Sequence, residues 1–178
     1  HPEPDQIELL PPASFRTFAS TETDYQTIDS IEELTSLCQS LSQLGCFAFD
    51  TETTHLNPYH AKLIGLSISH AAHTGYWIRV DHLPHLLQPL GLLFKNPAIT
   101  KLGHNLKYDL AILLNHGLEV QGPCYDTMLA HAVLEPEKKH TLDALAESRL
   151  NYSPIRFSKL FPAITAGNEL NYAQVDPD

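Results

Sequence analysis

The chain has 178 residues, 43% of them hydrophobic, and a formal net charge of −10. That length suits one domain around a single core, and the composition is that of a globular protein rather than a fibrous or disordered chain. No window approaches eighteen uninterrupted apolar residues, which excludes a membrane-spanning helix. The opening His1-Pro2-Glu3-Pro4 lacks the basic and apolar regions of a signal peptide. Cys38, Cys46 and Cys124 are odd in number, widely spaced and without a CxxC pair, which points to a reducing intracellular compartment, the cytoplasm with its nucleoid or another. The acidic balance stands against a free-standing nucleic-acid binder, whose surface is usually basic. It does not stand against an enzyme whose carboxylates hold divalent cations, because the metals then present positive charge to a phosphate.

Residues 1–22 are rich in Pro, Ser, Thr and acidic side chains without periodicity, and read as a linker or extended arm ahead of a domain at 23–178. Gln26-Thr27-Ile28 is a short strand. Ser30 and Glu33 then form a capping box. Ile31, Leu34, Leu37, Leu41 and Leu44 follow at helical spacing, so the pattern predicts a helix over 31–44, ended by Gly45. Cys46–Asp50 is an apolar strand ending in a carboxylate. Lys62–Ser69 and Gly75–Val80 are two further strands joined by the polar break at Ala71–Thr74, a hairpin pattern. A helical stretch at His85–Phe94 is interrupted by Pro89. A strand at Ala98–Leu102 leads to a helix in which Leu106, Leu110, Leu113 and Leu114 share a face, closed by Asn115-His116-Gly117. Helices at Thr127–Leu134 and Thr141–Leu150 complete the series. Early strands followed by mixed strands and helices predict an α/β fold, a mixed sheet flanked by helices.

Two short patterns carry chemistry. Asp50-Thr51-Glu52 lies at the end of an apolar strand, and alternation puts residues 50 and 52 on one face, about 7 Å apart by strand rise. Two carboxylates so placed can share a hard cation such as Mg²⁺ or Mn²⁺. The second pattern is Gly103-His104-Asn105-Leu106-Lys107-Tyr108-Asp109. Here Asn105 fits a helix N-cap, and Asp109 falls one turn later on the same face. Either pattern alone is common in acidic loops and helix starts. Together, in one compact domain, a strand-end carboxylate pair and an Asn-x-x-x-Asp helix start are far more specific than either alone. The eleven histidines form no such cluster: His70 with His73, and His82 with His85, sit in loops without partners at ligand spacing. His104 stands beside the site and is assigned no acid–base role.

Phe47-Ala48-Phe49-Asp50-Thr51-Glu52-Thr53 resembles the first exonuclease motif of the DnaQ-like superfamily, which has a ribonuclease H-like fold. Gly103–Asp109, with Asn-Leu-Lys-Tyr-Asp inside it, resembles the second motif in the form found in family A, Pol I-type DNA polymerases. Tyr125–Ala130 and Leu142–Glu147 continue the likeness, which runs from about Tyr25 to Val175. The resemblance implies a proofreading 3′→5′ exonuclease in which Asp50, Glu52 and Asp109 bind two Mg²⁺ or Mn²⁺ ions. In the family these activate a water and stabilise the leaving 3′ oxygen. It further implies that Thr53, Leu56, Asn105, Tyr108, Lys139 and Phe157 contact a single-stranded DNA 3′ end. Leu56 there matches an apolar residue packed against the terminal base. Its partners would be that DNA strand and the polymerase domain of the same polypeptide, with no membrane and a monomeric state.

The family carries a third motif, Tyr-x-x-x-Asp on a late helix. Tyr172-Ala173-Gln174-Val175-Asp176 has that spacing. However, Asp176-Pro177 also reads as an N-cap followed by proline at the first helical position. Pro177 biases Asp176 away from helical geometry. The preferred expectation is therefore a domain cut before its last catalytic helix, and a weakened activity for these residues alone. Two rival readings remain: a ribonuclease D-like enzyme acting on RNA 3′ ends, and a non-catalytic scaffold of a polymerase. Retention of all three carboxylates weighs against the scaffold.

Overall fold

A computed structural model describes residues 14–80 and 87–156, and of Leu87 the backbone alone. Its strands are β1 (Asp24–Ile28), β2 (Cys46–Thr53), β3 (Leu63–Ser69), β4 (Thr74–Arg79), β5 (Thr100–Gly103) and β6 (Cys124–Asp126). Its α-helices are α1 (Ile31–Ser42), α2 (Leu87–Lys95), α3 (Leu106–Asn115), α4 (Thr127–Leu134) and α5 (Leu142–Leu150). Among the described residues the strands form one mixed sheet in the order β1-β4-β3-β2-β5-β6. The hairpin expectation holds, since β3 pairs with β4 and with β2 antiparallel. β5 runs parallel to β2 and to β6, and β1 runs parallel to β4. This is the expected α/β sheet.

Local chemistry sets the element ends. The Ser30 hydroxyl accepts the Glu33 N–H at 3.2 Å, and the Glu33 carboxylate accepts the N–H groups of Asp29 and Ser30 in return. That reciprocal cap starts α1, whose Leu34, Leu37, Cys38 and Leu41 are buried. The helix stops two residues short of Leu44, which is exposed. In α2 the expected interruption is absent. Pro89 falls in the first turn, where an N–H has no intrahelical acceptor to lose, and the helix continues to Lys95. His82 and His85 lie outside the described residues, and His70 stacks on Tyr76. The core is built on one face of the sheet, where Phe47, Phe49 and Phe94 meet edge to face with ring centroids 5.0–6.3 Å apart. Residues 14–22, read from composition as an arm, run along the domain. Arg16 exchanges backbone hydrogen bonds with Asn151 and Ser153, and its guanidinium donates to the Leu150 carbonyl.

The sheet has one feature that positions a site. β2 extends to Thr53, three residues past Asp50, and stays paired with β3 over most of that length. Its partner on the other side, β5, pairs only with Cys46–Ala48. Beyond Ala48 one edge of β2 is therefore vacated, at the C-terminal ends of two parallel neighbours. Crevices at such strand ends are where open α/β sheets bind ligands. Gly103 ends β5 there: a Cβ would lie 2.3 Å from the Leu106 side chain and 3.2 Å from the Phe49 carbonyl oxygen. Only glycine lets the chain leave β5 and enter α3 this close to β2.

Candidate functional site

α3 fills the vacated edge and delivers Asp109 to it. Asp109 is 3% exposed, and its Oδ1 accepts two hydrogen bonds from one residue of β2. The Thr51 N–H donates at 3.0 Å and the Thr51 hydroxyl at 2.6 Å. Thr51 is buried, while Asp50 and Glu52, one residue away on either side, project to the opposite face and reach solvent. The three carboxylates are close enough to repel. Partial burial, then the charges of Asp109 and Glu52, push Asp50 from 3.8 up to about 7. Burial and the Asp109 charge raise Glu52 as well. Burial also raises Asp109, opposed by the two hydrogen bonds from Thr51. Asp50 and Glu52 expose surface but are flanked by enough protein for desolvation to act on the carboxyl groups.

Such a cluster, costly when ionised, fits a divalent cation. Its donors are all carboxylate oxygens, the set that Mg²⁺ and Mn²⁺ prefer. Among the described residues no group of three or more His, Cys, Asp or Glu side chains is already drawn together as a metal site. Mg²⁺ is commonly held by only one or two carboxylates, with waters and phosphate oxygens completing the shell.

A second network braces the rim. The Tyr108 hydroxyl donates to the His55 carbonyl at 2.6 Å, leaving its oxygen to accept from Thr53 at 2.5 Å. Thr53 and Tyr108, both expected at the site, thus meet directly. They anchor the loop after β2, on which Leu56 stands 85% exposed. An apolar side chain so open does not pack in the core. Lys139 lies in the segment between α4 and α5, exposed, beside a cleft lined by His131, Lys138 and Arg149. Phe157, Tyr172 and Asp176 lie outside the described residues.

Asn105 occupies the N-cap position of α3 but does not cap it. Its backbone is left-handed, φ 65°, and its side chain makes no cap hydrogen bond. Asn tolerates that conformation better than most residues. The capping is done by Asp126, at the end of β6, which accepts the N–H groups of Asn105 and Leu106 at 3.0 and 2.9 Å. The same carboxylate caps α4 through Met128 and Leu129. Burial raises the Asp126 carboxyl, but four N–H donors outweigh it and hold the group below the usual carboxylate range. Thr127 then hydrogen-bonds the Gly103 carbonyl and His104, closing the junction. Asp126 and Thr51 were not singled out from the sequence. An Asp just ahead of a helix was a legible signal for the first, whereas the hydrogen bonds of Thr51 to α3 had none.

Comparison with known proteins places the chain in a family. Residues 25–174 match the 3′-5′ exonuclease family of A-type DNA polymerases. The chain is 32% identical over 176 residues to DNA polymerase I of Borreliella burgdorferi, covering 91% of this chain and 19% of that protein. It is 34% identical over 185 residues to DNA polymerase I of Chloroflexus aurantiacus, covering 97% of this chain and 19% of that protein. A ribonuclease D of Acidiphilium cryptum is 32% identical over 106 residues, 60% of this chain and 27% of the relative. Among solved structures, Brucella melitensis NrnC superposes with a TM-score of 0.63 at 25% identity, covering 75% of this chain and 63% of that one. The chain thus spans about a fifth of the length of the polymerases it matches.

Proposed function

This chain belongs to the 3′-5′ exonuclease family of DNA polymerase I type, and from that premise we propose that its carboxylate cluster removes nucleotides from single-stranded DNA 3′ ends. The observation that carries the reading is the convergence of Asp50, Glu52 and Asp109 at the vacated edge of β2. Asp50, Glu52 and Asp109 hold Mg²⁺ or Mn²⁺ there. When bound, the cations lower the pKa of water and neutralise charge in an in-line displacement at phosphorus. The chain's own residues do the positioning. Leu56, open to solvent on its loop, offers an apolar surface to the terminal base, and Thr53 and Tyr108 hold that loop in place. Asn105 and Lys139, both exposed, and Phe157 complete the contacts to the strand. Stacking combined with a few charges suits sequence-tolerant single-strand binding. Tyr172 and Asp176 are the residues with third-motif spacing.

The polymerase domain of a longer polypeptide is the partner that such a domain serves, and proofreading is the role. A second reading follows from the ribonuclease D relative, namely an RNA 3′ end as substrate. Incubation with 3′-labelled single-stranded DNA or RNA of one sequence, in Mn²⁺, separates the two. The proposal expects faster loss of 3′ nucleotides from DNA, abolished by Asp50→Ala and by chelation. Preference for RNA would favour the second reading, and cleavage unaffected by Asp50→Ala would overturn the site.

A further inference from the structure

Thr51 lies between two of the carboxylates, inside the pattern that drew attention to them, yet no role for it there was legible in the sequence. Its side chain faces the buried side of β2, where a threonine hydroxyl needs a partner. It finds one in Asp109 at 2.6 Å, and its N–H, which a neighbouring strand would have taken, reaches the same oxygen at 3.0 Å. The geometry is specific in two respects. Both donors come from one residue, and both converge on Oδ1. That carboxylate oxygen is therefore fixed against β2.

We propose that Thr51 is a positioning residue for the metal centre. Its paired donors fix the orientation in which the Asp109 carboxylate stands beside Asp50 and Glu52. The inference rests on the exonuclease reading of those three carboxylates. Partners that orient a ligating carboxylate typically matter about 10–100-fold in metal affinity or activity when removed. Here the backbone donor survives any substitution at Thr51, so the lower end of that range applies. The hydroxyl supplies the shorter of the two bonds, and it alone is open to mutation.

Thr51→Val keeps the branched shape and deletes the hydroxyl. Thr51→Ser keeps the hydroxyl and deletes the methyl. The test is Mn²⁺ binding by calorimetry on the full chain, with kcat and KM on 3′-labelled single-stranded DNA measured alongside. Asp109→Asn serves as the site control. The expected result is a roughly 10-fold weaker Mn²⁺ Kd for Thr51→Val, a lower kcat at saturating Mn²⁺, an unchanged KM for DNA, and recovery of both by Thr51→Ser. Wild-type affinity and kcat in Thr51→Val, with both lost in Asp109→Asn, would overturn the proposal and leave the exonuclease reading intact. Equal losses in the Val and Ser variants would overturn it in favour of simple packing. Unaltered Mn²⁺ binding in Asp109→Asn would remove the site itself, and this inference with it.

Discussion

The two halves of the described chain are finished to different degrees. Around β2, β3 and β5 the helices bury their apolar faces: α1 hides Leu34, Leu37, Cys38 and Leu41, and α3 hides Leu106, Ile112 and Leu113. In α4 and α5 most of the large apolar residues are open, although Met128 and Leu145 are half-buried. Leu129, Val133, Leu134, Leu142 and Leu150 are all exposed, Val133 by 84%. α5 buries none of its residues. Its attachments include polar ones: Arg149 pairs with Glu135, and the Leu150 carbonyl accepts from the Arg16 guanidinium. The comparison teaches where the site's precision comes from. Asp50, Glu52 and Asp109 all stand on the close-packed half, where a side chain has few alternatives. Lys139, proposed to contact the DNA strand, stands between α4 and α5.

That contrast can be broken or sharpened by mutation. The largest stability effect belongs to the packed half: Phe94→Ala, removing the ring that meets Phe47 and Phe49, is expected to cost about 3–5 kcal/mol in urea unfolding. Leu134→Ala, 76% exposed, should change stability by about 0.5 kcal/mol or less by the same measurement. Similar losses for the two would show that the halves are packed alike.

Asp126→Ala comes next. It uncaps α3 and α4 together and is expected to cost about 2 kcal/mol or more. The folded-state pKa of Asp126 is depressed, so its contribution is present above the ordinary carboxylate range and fades as pH falls through it. Denaturation of wild type and Asp126→Ala should therefore converge in acid.

A smaller effect than that of Asp126→Ala has the opposite sign. Asp50 titrates at about 7 in the folded chain against 3.8 for a free carboxyl, so the folded state retains a proton that the unfolded chain has released. Metal-free stability then falls as pH rises across that window. Asp50→Asn is expected to stabilise the metal-free protein above pH 7, by roughly 1 kcal/mol given the solvent that reaches this side chain. Below about pH 4 it should change nothing. Added Mn²⁺ should reverse the order of the two proteins, since only the wild type gains by binding it.

Much of this was legible beforehand. The strand ending in Asp50 and the helix carrying Asp109 follow from periodicity, and the capping box at Ser30 and Glu33 is observed bond for bond. What alternation and spacing could not show was the junction between elements. A local reading made Asn105 the cap of α3, since Asn is a common N-cap residue. The actual cap is Asp126, twenty-one residues further on, because β6 runs beside β5 and brings its terminal carboxylate to the helix start. Pro89 misled for a related reason: whether proline breaks a helix depends on where the helix begins, and its first turn tolerates one. The length of β2 was missed because Asp50-Thr51-Glu52 reads as a polar end, whereas pairing with β3 carries the strand through all three residues.

The central claim is that the edge vacated by β5 holds a divalent cation between Asp50, Glu52 and Asp109. Crystals soaked in Mn²⁺ and measured for anomalous scattering test it most directly. The account predicts a peak within coordinating distance of those three carboxylates, lost in Asp50→Ala. A peak elsewhere with none at β2, or one that persists in Asp50→Ala, would contradict it.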